Sequence, residues 1–214
     1  MDGSRIFDRV ALANGIVGRT MGASTDAFRP SGAERPLSLG NRFLRLPALF
    51  TAANGAIQRN TSYGIAIYDG YFDMSYTRPG DYLEQGARTW FIANQEALGP
   101  AHCVLTNRVV TIDRPESSVS MGSNPYGGAQ PGPATHLAVA WPASILAVGR
   151  DGFPASGLPT DVAMTSSTIL LPVTVANIMR PTDIAIDDLG RTHVITSCEI
   201  THLGWRLIAR LVTN

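Results

Sequence analysis

The sequence predicts a mainly β protein: two related β-meander or barrel-like units with an N-terminal helix and long irregular arms and loops. Three observations predict it. The first is an internal repeat, in which the stretch from Arg78 to Ile112 is matched by the stretch from Arg180 to Val212. Arg78-Pro79-x-Asp81 falls on Arg180-Pro181-x-Asp183 at an offset of 102. After a one-residue slip, Arg88-Thr89, Ile92 and Glu96 fall on Arg191-Thr192, Ile195 and Glu199 at an offset of 103. The second is the plan of each copy, a proline-led turn, a short strand, a glycine-bearing turn and a strand rich in aromatic and β-branched residues, which is that of a β-hairpin. The third is composition. At 214 residues with 44% hydrophobic and 16% charged residues, the chain can bury a sizeable core but carries few of the charges that keep a monomer free in solution.

Taken in order, Ser4 to about Met21 places Ile6, Phe7, Val10, Ala13, Ile16 and Val17 on one face at helical spacing, with Arg5, Asp8, Arg9 and Arg19 mostly opposite. Gly15 and Gly18 weaken the far end of this helix and Gly22 can cap it, so it needs a partner surface. From Gly22 to Pro47 the chain is rich in Gly, Pro, Ser and Arg and has little periodicity, which reads as an extended arm docking on another surface. Residues 1–47 are therefore expected to be helix and docking arm, with Phe28, Arg29, Arg35, Arg42, Phe43 and Arg45 as candidate interface residues.

Residues 48–115 are expected to form the first β unit. It opens with an alternating strand at Tyr63 to Tyr68, a turn at Asp69-Gly70 and an aromatic cluster of Tyr68, Tyr71, Phe72 and Tyr76. In the repeat itself, Pro keeps Arg78 or Arg180 extended and Asp81 or Asp183 closes the turn on the backbone. Gly86 and Gly190 supply the hairpin turns, and His102 to Val110 and Trp205 to Val212 supply a third strand. Residues 116–167 read as a loop-rich insertion with candidate strands at His136 to Pro142 and Ser144 to Gly149. Its loops, at Arg114 to Pro133 and Asp151 to Pro159, add Tyr126 and Phe153 to the candidate interface. Residues 168–214 form the second β unit, packed with the first.

Charge excludes some classes. Positive and negative residues balance, and every positive residue is Arg, with no Lys. A neutral chain lacks the basic face that nucleic acid would require. Absence of Lys reads as compositional bias, or as a preference for the flat guanidinium fork at protein interfaces. The apolar runs, such as Thr168 to Ala176, are too short for a membrane span, and no apolar leader follows Met1. Cys103 and Cys198 sit at comparable places in the two repeats, and read as buried free thiols or as a disulfide across the pseudo-symmetry.

Little points to chemistry. His102, His136, His193 and His202 have no metal-ligand spacing, and His102 and Cys103, adjacent on a strand, face opposite ways. The glycine-rich run after Gly122 lacks the ending of a phosphate-binding loop, and Asp187-Asp188 lacks the alternation of calcium ligands. No cofactor, metal or catalytic residue is expected, and the chain is not read as an enzyme.

The opening helix with Phe7-Asp8-Arg9 and Arg29-Pro30 after it, then Gly80-Asp81-Tyr82-Leu83 and Arg88-Thr89-Trp90-Phe91-Ile92, resembles the neck proteins of tailed bacteriophages: the head–tail connector, adaptor and stopper subunits. The hairpin pattern recurs at Asp183-Ile184 and Gly190-Arg191-Thr192-His193-Val194-Ile195. The likeness covers about the first 112 and the last 35 residues. It implies a virion subunit, assembled in the host bacterial cytoplasm into a homo-oligomeric ring of about six or twelve copies. Such a ring joins the portal and head to other neck or tail proteins and surrounds the channel through which double-stranded DNA passes without sequence-specific binding. The middle insertion and the doubled β unit depart from the smallest connectors and leave open which neck or tail component this is. Two rivals stand beside it: a receptor- or carbohydrate-binding β module of a phage tail, using Trp141 or Tyr126 and the loops at Asn124 to Gly128 and Asp151 to Gly157, and a small hydrolase using Cys103 or Cys198.

Overall fold

Among the described residues, two closed β-barrels of identical strand order follow a single α-helix. The computed structural model describes residues 3–52, 66–115, 134–147, 166–175 and 177–212. Helix α1 spans Gly3–Met21. The first barrel comprises β1 (Ala23–Phe28), β2 (Arg42–Ala52), β3 (Ile67–Tyr71), β4 (Tyr82–Gln85), β5 (Arg88–Gln95) and β6 (Ala101–Leu105). The second comprises β7 (Arg108–Arg114), β8 (Thr135–Ala147), β9 (Ser166–Leu171), β10 (Ile184–Asp187), β11 (Thr192–Thr201) and β12 (Gly204–Leu211). Going round the walls, the orders are β1-β2-β3-β6-β5-β4 and β7-β8-β9-β12-β11-β10, all neighbours antiparallel. Closure leaves each barrel without a free edge around its ring.

The repeat is thus longer than the matching sequence, and several expectations change with it. The run from Gly22 to Pro47 is not a docking arm. Ala23–Phe28 pairs with Arg42 to Ala48, the rest of β2 pairs with β3, and both are wall strands of the first barrel. Residues 116–167 are not an insertion between units, since β8 and the start of β9 belong to the wall of the second barrel. The boundary lies at Thr106-Asn107, where His102 to Val110 breaks into two strands. Thr106 N–H donates to Thr89 O of the first barrel, while Asn107 N–H donates to Ala143 O of the second. His136 to Pro142 and the run after it form one strand, in which Pro142 gives up a ladder donor beside an irregularity in the pairing with β7.

Asp69-Gly70 is not a turn. Both lie within β3, paired to His102 and Ala101. A Cβ on Gly70 would stand 2.8 Å from Cys103 Sγ and from Phe72 Cε1, so this glycine serves close packing and not chain reversal. Tyr63 to Ile65 lie outside the described residues. Tyr68, Tyr71 and Phe72 are buried or half-buried at the end of the first barrel, whereas Tyr76 is exposed.

The helix forms where periodicity placed it, but rotated. Ala11, Asn14, Gly15 and Gly18 are buried, while Ile6, Leu12, Ala13 and Ile16 are exposed. Glycine decides the orientation. A Cβ on Gly18 would meet Pro47 O and Tyr71 O at 2.7 Å, so the helix backbone lies almost against β2 and β3. Asn14 donates to Gly99 O in the β5–β6 loop and fastens the far side.

Two cores result. Inside the first barrel, Ala27, Leu46, Ala48, Leu83, Trp90, Ile92 and Cys103 pack with Phe72, Met74 and Ala11 of the helix. The second core fills the second barrel and also takes in the outer wall of the first, through Phe28, Tyr82, Phe91, Ala93 and Val104. Tyr82 meets Trp141 edge-on with centroids 6.1 Å apart, and its hydroxyl donates to Pro142 O at 2.7 Å. This explains a contrast between equivalent strands. Trp90 to Ala93 is buried on both faces and is apolar throughout, whereas β11 alternates at Thr192 to Ile195 because its outer face is wetter.

Candidate functional site

The repeated Arg-Pro-x-Asp turn shows what the matching residues do. Pro79 and Pro181 lead a turn in which Asp81 N–H donates to Arg78 O and Asp183 N–H to Arg180 O. The third position requires positive φ, met by Gly80 (95°) and by Thr182 (79°). Each buried carboxylate then accepts a two-pronged guanidinium: Arg29 on Asp81 at 3.0 and 2.8 Å, Arg114 on Asp183 at 2.9 Å on both prongs. Both arginines also donate to a neighbouring carbonyl, Tyr76 O and Ile178 O respectively. Arg114 was not singled out from the sequence. The signal was present: Arg29-Pro30 and Arg114-Pro115 each end a strand one residue beyond the pairs Phe28/Tyr82 and Asp113/Ile184.

The expected interface residues divide. Phe28 is 3% exposed and lies in the core between the barrels, so it cannot anchor a partner. Arg29 clamps Asp81 and lies 4.3 Å over the ring of Phe43, which remains partly exposed. Arg42 and Arg45 converge on Asp26 at 3.5 and 2.6 Å. The hydrogen bond from Arg45, working against slight burial, holds the Asp26 carboxyl below its ordinary range. Arg29, Arg42, Phe43 and Arg45 thus lie together on the β1–β2 hairpin, and Arg35 is exposed on the loop between those strands. Tyr126 and Phe153 lie outside the described residues.

Two hollows accompany the barrels. One, of about 590 Å³, lies between them, with Ile67, Phe91, Val104, Leu170, Leu203 and Trp205 as its apolar walls and Glu199, His202 and Arg206 at its polar margin. The other, of about 240 Å³, is at the end of the second barrel and is lined by Ser167, Arg191 and His193 among others. There Ser167 Oγ is 3.4 Å from His193 Nδ1, and Asp187 Oδ2 is 3.5 Å from His193 Nε2. The order hydroxyl, imidazole, carboxylate is suggestive, but the carboxylate is committed elsewhere. Asp187 accepts from the Leu189 and Arg191 backbone and from Arg191 Nε. Burial pushes its pKa up, and these donors outweigh it, leaving the group below the usual carboxylate range. The distances and the commitment of Asp187 leave no relay to activate Ser167.

The thiols are poor nucleophiles. Both are free; burial raises the pKa of Cys103 strongly, with Asp69 adding to it, and burial likewise raises Cys198. They are not equivalent either, since Cys103 lies on β6 and Cys198 on β11. Among the described residues no group of three or more His, Cys, Asp or Glu is placed to hold a metal. Trp141 is fully buried and offers no platform to a glycan.

The helix leaves a face that is apolar and arginine-rich. On the outer face of α1, Ile6, Leu12, Ile16 and Met21 are 38%, 55%, 52% and 71% exposed, beside exposed Arg5, Arg9 and Arg19. Compared with known proteins, the chain matches no family model, no curated protein and no solved structure.

Proposed function

We propose that this chain is a structural subunit of a phage virion neck or tail, forming a ring that joins head and portal to tail around the DNA exit channel. The observation that carries the reading is the fusion of two closed barrels through one apolar core, with an apolar helix face turned outward. A block without free sheet edges around its rings and with an uncovered apolar flank suits a part whose work is to be held between neighbours. The sequence resemblance supplies the phage context. Charge is consistent with passage of DNA, because positive and negative residues balance over the whole chain.

The test is the native mass of the full chain over a range of concentrations, with negative-stain imaging. A closed ring at an integral multiple of the monomer mass is expected; a monodisperse monomer at every concentration would sink the proposal. One observation favours a second reading, a receptor- or carbohydrate-binding module of a phage tail: Trp205, though only 8% exposed, stands in the wall of the hollow between the barrels beside polar Glu199, His202 and Arg206. Saturable binding of an oligosaccharide by a lasting monomer, lost in Trp205→Ala, would favour that reading instead.

A further inference from the structure

The outer face of α1 carries a pattern that ring closure alone does not explain. Arg5, Arg9, Leu12, Ile16 and Arg19 are all exposed and recur at alternating steps of four and three, the spacing of a coiled-coil seam. The apolar pair lies at the centre, with Arg9 and Arg5 before it and Arg19 after. None of these three arginines has an ion-pair partner among the described residues, in contrast to Arg29, Arg42, Arg45, Arg114, Arg191 and Arg206. The acidic residue nearest in sequence, Asp8, stands at the edge of the seam, toward Gly15 and the barrel. The helix is held by its other face, so this seam is presented on a fixed support.

Charge chooses the partner. If two copies packed seam to seam in parallel, Arg9 would meet Arg9 and Arg19 would meet Arg19. Antiparallel, Leu12 would meet Ile16 but Arg9 would meet Arg19. Both registers bring like charges together around the apolar centre, which is destabilising. We propose that the outer face of α1 docks a helix of a different chain, one with apolar residues at the centre of its seam and carboxylates at both ends. The acidic ends would meet Arg5, Arg9 and Arg19, and the apolar centre would cover Leu12 and Ile16. This goes beyond assembly of the ring, because it holds whether the chain is a ring or a monomer.

The probe is a labelled synthetic helix of about three heptads with leucine at the central seam positions and glutamate at the outer ones. It is titrated into the full chain while fluorescence anisotropy is followed. Binding is expected to weaken as salt rises, and to weaken about tenfold or more in Leu12→Asp/Ile16→Asp and in Arg9→Glu/Arg19→Glu. The decisive arm is the charge swap: a lysine version of the peptide is expected to bind Arg9→Glu/Arg19→Glu better than the parent chain. Equal binding of both peptides to the parent chain would overturn the proposal. So would preference for anionic vesicles or for duplex DNA over the glutamate peptide, since either would make the face a membrane or nucleic-acid surface. All four positions are exposed, and thermal unfolding of each variant reports whether the fold is kept. The native mass of the same samples tests the ring separately, so the two readings can fail independently.

Discussion

At Thr182 a β-branched side chain occupies positive φ, in the place where the first barrel uses Gly80. Gly80 is obligatory twice over, because a Cβ there would stand 2.2 Å from Thr174 Cγ2. Thr182 is exposed and escapes the clash but keeps the backbone strain. Thr182→Gly should therefore stabilise the protein by about 1 kcal/mol, the relief of strain exceeding the added freedom of the unfolded chain. Gly80→Ala should destabilise it by more than that, and chemical denaturation of both variants measures the difference. The paired carboxylates make a second residue-scale prediction. Asp26 and Asp187 are held below their ordinary range, so their contribution to stability is present above the unfolded value of about 3.9 and is lost as pH falls through their lowered folded values. The melting temperature should fall in that acid window, and Asp187→Asn should show a shallower fall from a lower starting point.

Elements were legible in the sequence where one residue type enforces one geometry. The slip between the repeats is an instance: Gln85 pairs with Arg88 across a two-residue turn, while Asp187 N–H reaches Arg191 O across a turn with one more residue, closed by Gly190 at φ 74°. The RPxD turn was legible for the same reason, though not the arginine that clamps it, since that contact spans 52 residues for Arg29 and 69 for Arg114. β1 and β2 were missed because their side chains alternate poorly: Asp26, Arg42 and Arg45 satisfy one another on the outside while small Ala27 and Ala48 serve the interior. The helix shows how pattern misleads. Phe7 and Val10 of the expected face do pack against the first barrel's core, but the barrel lies closest to the glycines, and this turns Ile6, Ala13 and Ile16 outward. Gly18→Ala tests this, because the two carbonyls it would meet, Pro47 O of β2 and Tyr71 O at the end of β3, belong to strand backbone that cannot yield. The cost should be about 2 kcal/mol despite alanine's better helix propensity, and the loss should appear as earlier proteolysis within α1 while the strands stay protected.

Over the whole molecule, duplication of topology without duplication of surface is the governing fact. The positions that in the first barrel are Phe28, Tyr82, Phe91 and Val104, its outer wall against the second barrel, correspond by register to Asp113, Ile184, Val194 and Arg210. One half is built to be covered and the other to face water. Expressed alone, the segment ending at Thr106 should therefore aggregate or self-associate, and substituting Phe91 and Val104 by polar residues should restore its solubility; a soluble monomer without those changes would refute the division of roles. The link between the halves has a mechanical consequence. Thr106 and Asn107 are each tied by hydrogen bonds to opposite barrels, so the joint has no slack. A pull on the helix should therefore be felt in the far barrel, the molecule answering as a lever and not as a pair of beads on a string.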